Sequence, residues 1–172
     1  MALKRLANST LNDLPANIAR PTYDRSKVTP GILHFGVGAF HRSHQALTID
    51  RLLAKGLAQD WGIIGVGLLS NDHKMREALI PQDCLYTLIT KHPDGNFEYQ
   101  VIGSIISYLF APDNPAKVIE AICDPKIRII SLTITEGGYS FDRVTGEFDP
   151  TTPNIAQDLK DSTTPVSVFG YI

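Results

Sequence analysis

The sequence predicts an α/β fold: a Rossmann-like, doubly wound, mostly parallel sheet with an inserted β-hairpin. Three observations carry that prediction. Short apolar runs at residues 32–35, 61–69 and 126–135 alternate with stretches of helical periodicity. The second run is apolar almost throughout, as a central strand covered on both faces is. A Gly-x-Gly turn, Gly36-Val-Gly38, joins the first run to the first helical stretch, at the point where a doubly wound sheet receives a ligand's phosphates.

Taken in order, residues 1–30 read as a leader segment with an early turn, since Pro15, Pro21 and Pro30 interrupt any long element. Residues 31–172 form the domain. After the first strand, Ala46, Leu47, Ile49, Leu52, Leu53 and Leu57 recur at helical spacing, in a helix that starts near Phe40 and stops at Gly56, a C-terminal cap. Residues 61–69 are the second strand. Asn71 or Asp72 caps a helix that runs through Leu79, with Pro81 beyond it. Residues 84–91 and 97–110 make two strands about His92-Pro-Asp-Gly-Asn96, a hairpin turn inserted in an otherwise alternating series. Pro115 opens a short helix through Cys123, and residues 126–135 form a further buried strand that ends at Glu136-Gly-Gly-Tyr139.

In the glycine turn, Gly36 supplies the tight bend and Gly38 a backbone that phosphates can approach, while the helix N-terminus and the Arg42 guanidinium attract negative charge. A plain strand-to-helix turn uses glycines in the same way. Where the common fingerprint carries its third glycine this chain has His41, which predicts looser packing of helix on strand. The second mark of a dinucleotide site is a carboxylate after the second strand, to accept from a ribose hydroxyl. Asp72 fills that role, 36 residues after Gly36 and so beyond the usual interval of about 20, because a longer helix and a loop intervene. A helix N-cap is the alternative role for Asp72, compatible with the first. A carboxylate there repels a 2′-phosphate and favours NAD over NADP.

Sixteen basic and eighteen acidic residues, net charge −2, are scattered along the 172-residue chain, which therefore lacks the basic footprint of a nucleic-acid or anionic-membrane binder. No apolar run reaches 18 residues, and residues 1–12 mix charged and polar groups with isolated leucines, so a cytoplasmic protein is expected. Cys84 and Cys123 form neither a disulfide framework nor a metal spacing and read as small buried hydrophobes. His41 and His44 lie three apart on one helix without a third ligand, and no metal site is expected.

Five segments in order, His34-Phe-Gly-Val-Gly-Ala-Phe-His-Arg-Ser-His-Gln45, Trp61-Gly-Ile-Ile-Gly-Val-Gly-Leu68, Gln82-Asp-Cys-Leu-Tyr-Thr87, Val101-Ile-Gly-Ser-Ile105 and Ser131-Leu-Thr-Ile-Thr-Glu-Gly-Gly-Tyr139, resemble the N-terminal half of the mannitol dehydrogenase family, the polyol-specific long-chain dehydrogenases. The resemblance implies an NAD-dependent, metal-independent oxidoreductase that interconverts a sugar alcohol and a ketose, with D-mannitol and D-fructose first and arabinitol or a hexuronate such as fructuronate as alternatives. It implies cofactor contacts at Phe35, Gly36, Val37, Gly38, Ala39, Phe40, His41 and Arg42, with Asn71 and Asp72 at the ribose. Relatives carry two adjacent acidic residues where this chain has Asn71-Asp72, which implies weaker discrimination against NADP.

Glu136 follows a buried strand at the carboxyl edge of the sheet, with two glycines behind it that leave room for a nicotinamide ring or substrate. It is the one candidate catalytic group in the chain, as an auxiliary that relays protons to a base elsewhere; the same position suits a loop carboxylate that satisfies backbone N–H groups. Family members continue into a helical domain with the lysine base and the asparagines that polarise the reacting oxygen. The apolar end, Val168-Phe-Gly-Tyr-Ile172, reads as the start of a helix, and the expectation is a cofactor-binding fragment that partners a C-terminal catalytic domain and is inactive alone. A non-catalytic nucleotide-binding module is the alternative from another class.

Overall fold

The computed structural model describes residues 4–142 and 144–172, with the side chain of Glu136 outside that set. In chain order the elements are β1 (Ile18–Ala19), β2 (Pro30–Phe35), α1 (Ala39–Ser43), α2 (Gln45–Ala54), β3 (Gly62–Gly67), α3 (His73–Leu79), β4 (Tyr86–Lys91), β5 (Phe97–Ile102), β6 (Ile105–Phe110), α4 (Pro115–Ile122), β7 (Ile129–Leu132), α5 (Pro153–Lys160) and α6 (Val168–Tyr171). The main sheet runs β6-β3-β2-β7 with every neighbouring pair parallel. Strand order reverses at β2, since β3 and β6 extend to one side and β7 to the other. The crevice between the carboxyl ends of β2 and β7 is thus the topological switch point of a doubly wound sheet.

Alternation along β2 sends Ile32 and Leu33 to opposite faces, and each face has its own core. Ile32, Ile63 and Ile105 meet Ala46, Leu47 and Ile49 of α2. Leu33, Phe35 and Val66 meet Val118 of α4 and Val168 and Tyr171 of α6. Burial on both faces explains the unbroken apolar runs of β2 and β3, whereas β7, expected as a buried strand over 126–135, is a short edge strand with Ile129 and Leu132 exposed.

The helix expected from Phe40 to Gly56 is broken at His44 (φ −120°, ψ −78°), which separates α1 from α2. The His44 ring sits 2.8 Å from the Phe40 carbonyl and the Ser43 hydroxyl donates to the Ala39 carbonyl, so side chains compete for the acceptors that would continue the helix. Its end is as read from the sequence. Gly56, at φ +75°, donates to the Leu53 carbonyl while Leu57 N–H donates to Leu52, the paired bonds of a glycine C-cap.

The hairpin turn falls at His92–Asn96, where His92 N–H donates to the Asn96 carbonyl. Its second strand is not continuous over residues 97–110, however. At Gly103 and Ser104 the chain leaves β5, which belongs to a small sheet ordered β1-β5-β4, and enters β6 of the main sheet. Gly103 N–H donates to the Asp50 carboxylate at 2.8 Å, and a Cβ there would lie 2.9 Å from the Arg25 side chain and from Pro21. The Ser104 hydroxyl donates to the Ala46 carbonyl. These contacts hold the crossing, and the apolar run conceals it.

Residues 4–29, read as a leader, are tied into the domain. β1 pairs in parallel with β5, Tyr23 donates to the buried Asp50, and the Arg25 guanidinium donates to the carbonyls of Gly103, Asp83 and Ile105. Two further readings are corrected. Cys84 is buried but precedes β4 in a left-handed conformation (φ +59°), and Cys123 at the end of α4 is exposed instead of buried. Helix α5, unforeseen in the sequence, packs beside α6 through Asp158, whose carboxylate accepts from Val166 and Ser167 N–H and from the Ser167 hydroxyl.

Candidate dinucleotide site

The glycine turn lies at the switch point. Gly36 N–H donates to the Val66 carbonyl, Thr133 N–H donates to Phe35, and Gly38 N–H closes back on the Gly36 carbonyl at 2.7 Å. Gly36 adopts φ +89°, and a Cβ on it would lie 2.6 Å from the Thr133 carbonyl oxygen. Only glycine fits both demands. Gly38, by contrast, has an ordinary backbone (φ −80°, ψ −175°) and a Cβ there would meet nothing nearer than the Gly36 oxygen at 4.0 Å. Its side is open space.

The other residues expected at the turn divide between surface and interior. Gly38, Ala39 and Phe40 are exposed, Phe40 with 65% of its surface and its ring stacked on His44. The first backbone N–H groups of α1 have no acceptor within the helix. Phe35 points into the α4–α6 core beside Tyr171, and Val37 into the α2 core. Arg42 folds back to donate to the Val37 carbonyl at 2.8 Å, so it braces the turn from beside it.

His41 is 1% exposed and stacked on His34, with ring centroids 3.7 Å apart and planes 14° from parallel. Among the described residues, neither of its ring nitrogens has a hydrogen-bond partner. Its side chain therefore faces the interior, and only its backbone N–H is available to a ligand. His34 bonds Ser131 Oγ through Nδ1 at 2.8 Å and Thr133 Oγ1 through Nε2 at 2.9 Å, with the Gly36 carbonyl 3.3 Å from Nε2. Burial lowers the pKa of His34 to about 4 and that of His41 to about 3, where the neighbouring His34 ring adds to the effect.

Asp72 comes next across the sheet, in a 3₁₀ turn over Ser70–Asp72 that follows β3. Its carboxylate accepts from Leu69 N–H at 2.9 Å and does not cap α3, which corrects the helix-cap reading. Among the described residues no other protein group donates to that carboxylate, and Asn71 beside it is exposed. Gly67 leaves the space that the Tyr108 hydroxyl and the Asp72 side chain occupy. Sequence reading overlooked His34, Ser131 and Thr133. Polar residues in otherwise apolar strands were the available signal. Glu136 begins a 3₁₀ turn over Glu136–Tyr139, and its side chain lies outside the described residues. Among those residues no cluster of His, Cys, Asp or Glu forms a metal site, and no helix is long and apolar enough to cross a membrane.

Solved structures share this fold. The chain superimposes on Pseudomonas fluorescens mannitol 2-dehydrogenase, solved as a ternary complex with NAD and D-mannitol, with a TM-score of 0.93 and 43% identity over 98% of this chain and 34% of that one. A substrate-free D-sorbitol dehydrogenase gives 0.89 and 43% over 96% and 34%. Among curated relatives, the polyol:NADP oxidoreductase of Gluconobacter oxydans is 43% identical over 97% of this chain, and the mannitol 2-dehydrogenase of Cereibacter sphaeroides 48% identical over 91%. The chain spans about a third of the length of these relatives, 34% and 32%. With residues 30–169 matching the mannitol dehydrogenase Rossmann domain, the chain belongs to the mannitol dehydrogenase family.

Proposed function

We propose that the chain is the cofactor-binding part of an NAD-dependent polyol dehydrogenase that interconverts a sugar alcohol and a ketose, D-mannitol and D-fructose first. The observation that carries this reading is the turn at the switch point: Gly36 has no room for a side chain, Gly38 has open space at its Cβ position, and unpaired N–H groups follow. That is the fit a pyrophosphate requires. Residues Phe35 to Arg42 would form its cradle, with backbone N–H groups at the start of α1 donating to it and Arg42 fixing the Val37 carbonyl, and Asp72, with Asn71 beside it, would accept from the adenosine ribose. When bound, NAD takes the hydride of a secondary alcohol.

Proton transfer then needs a base. We assign Glu136 an auxiliary role in it and place the principal base, with most substrate contacts, in the part of the relatives' length beyond this chain, so that the 172 residues alone turn over no polyol. The two cysteines, unpaired in the structure, fit the cytoplasmic setting we infer. NADP is the second reading, favoured by the neutral Asn71 beside Asp72 and by the relative named for that cofactor.

The test uses Gly38→Val. Its backbone and surroundings accept valine, so the variant should melt with the wild-type chain while NAD binding, followed by calorimetry, falls at least tenfold. Equal affinity in both proteins would overturn the assignment.

A further inference from the structure

Four polar side chains converge beneath the glycine turn from four elements: His34 of β2, His41 of α1, Gln45 of α2 and Ser131 of β7, with Thr133 just past that strand. One neutral tautomer of His34 satisfies the connected groups in a single direction. The Gln45 amide donates to Ser131 Oγ at 3.3 Å and the Ser131 hydroxyl donates to His34 Nδ1. His34 Nε2–H then donates to Thr133 Oγ1 and more weakly to the Gly36 carbonyl. His34 is 3% exposed and His41 1%. Two imidazoles this deep, one of them joined to half-buried Gln45, Ser131 and Thr133, carry a desolvation cost that aliphatic side chains would avoid.

This hydrogen-bonded chain joins groups nearly a hundred residues apart. It closes on the two residues that approach most tightly at the switch point, since a Cβ on Gly36 would lie 2.6 Å from the Thr133 backbone oxygen. We infer that His34 is a positioning residue for the dinucleotide crevice, its imidazole holding the carboxyl ends of β2 and β7 at the separation that Gly36 permits, while the stacked His41 ring carries that position into α1. The inference rests on the dinucleotide reading above. It gives His41 a role beneath the turn, where its ring packs on His34, and not against the ligand.

Thr133 gives the cleanest test, because Thr133→Val keeps the side chain's shape and removes the hydroxyl, whereas Thr133→Ser keeps the hydroxyl. His34→Phe removes all three bonds of the imidazole and preserves a ring for His41 to stack on. NAD and NADH dissociation constants are measured by calorimetry and fluorescence on the 172-residue protein and these variants, at a temperature well below each melting point. The expected result is a loss of at least fivefold for Thr133→Val, a value within twofold of wild type for Thr133→Ser, and a loss of at least tenfold for His34→Phe if that variant folds. Thr133→Val that melts lower and binds like wild type shows packing alone and overturns the inference. Absence of NAD binding by the wild-type chain overturns the dinucleotide reading and this inference with it.

Discussion

Gly36 and Thr133 touch across the switch point so closely that a single methyl group on the first would lie 2.6 Å from the carbonyl oxygen of the second. Gly36→Ala therefore combines a strained backbone at φ +89° with a collision against main chain, and should lower stability by roughly 2–4 kcal/mol. Gly56→Ala is the matched comparison: φ is +75° there, but nothing lies within 4 Å of the new atom. It should lose only about 1 kcal/mol. Denaturant midpoints separate the two, and equal losses would mean that the contact with Thr133 contributes nothing.

Asp72→Ala should reduce NAD affinity by roughly 1–3 kcal/mol, the scale of a charge-assisted hydrogen bond, and narrow the gap to NADP. Parallel titrations with the two cofactors decide it. An unchanged ratio would show that the carboxylate serves only the Leu69 N–H it already accepts from.

The buried histidine pair makes stability depend on pH with a definite sign. Desolvation holds the rings neutral in the folded chain down to about 4 for His34 and about 3 for His41, whereas unfolded histidines take up protons near pH 6.5. The stabilisation is complete above pH 6.5. As pH falls towards 4 the unfolded state binds more protons and stability declines, by up to about 1.4 kcal/mol per pH unit for each ring. Asp50 acts the other way, because burial raises its pKa and the folded state takes that proton first. Urea midpoints between pH 7 and 4.5 should fall with pH in the wild type and less steeply in His34→Phe; a flat wild-type profile would refute this account.

Asp158 accepts three hydrogen bonds from the segment between α5 and α6 while only 8% exposed. Asp158→Ala strands those donors and should remove roughly 1.5–3 kcal/mol, and more if α6 detaches. Loss of α6 would uncover Phe35 and Leu33, its partners in the core, so binding of a hydrophobic dye should accompany the loss.

The main sheet was legible because burial on both faces of β2 and β3 leaves a plain apolar record, and the Gly56 cap because a positive φ favours glycine. Breaks inside regular runs were not. Nothing about His44 or Gly103 in one dimension says that a neighbouring side chain captures the backbone there; the Asp50 carboxylate that turns the chain at Gly103 lies 53 residues away. At the site, the Gly36 turn follows the order strand, turn, helix that sequence displays, and Asp72 is legible from its place after the second strand although its spacing departs from the usual interval. His34 with its two hydroxyl partners on the far strand follows a three-dimensional rule, visible only once β2 and β7 lie side by side.

The small sheet carries a consequence for how the chain comes together. Ile18 pairs with Tyr99, and Arg25 with the carbonyls of Gly103 and Ile105, so β1 and Arg25 have partners about eighty residues further along the chain. Closing loops of that length gives little reward until both ends are in place, which slows folding. During synthesis β1 and Arg25 are made well before the residues they pair with. Until Gly103 has emerged, Asp50 lacks the backbone N–H that its carboxylate accepts from in the finished fold, and β1 waits unpaired for a strand that does not yet exist.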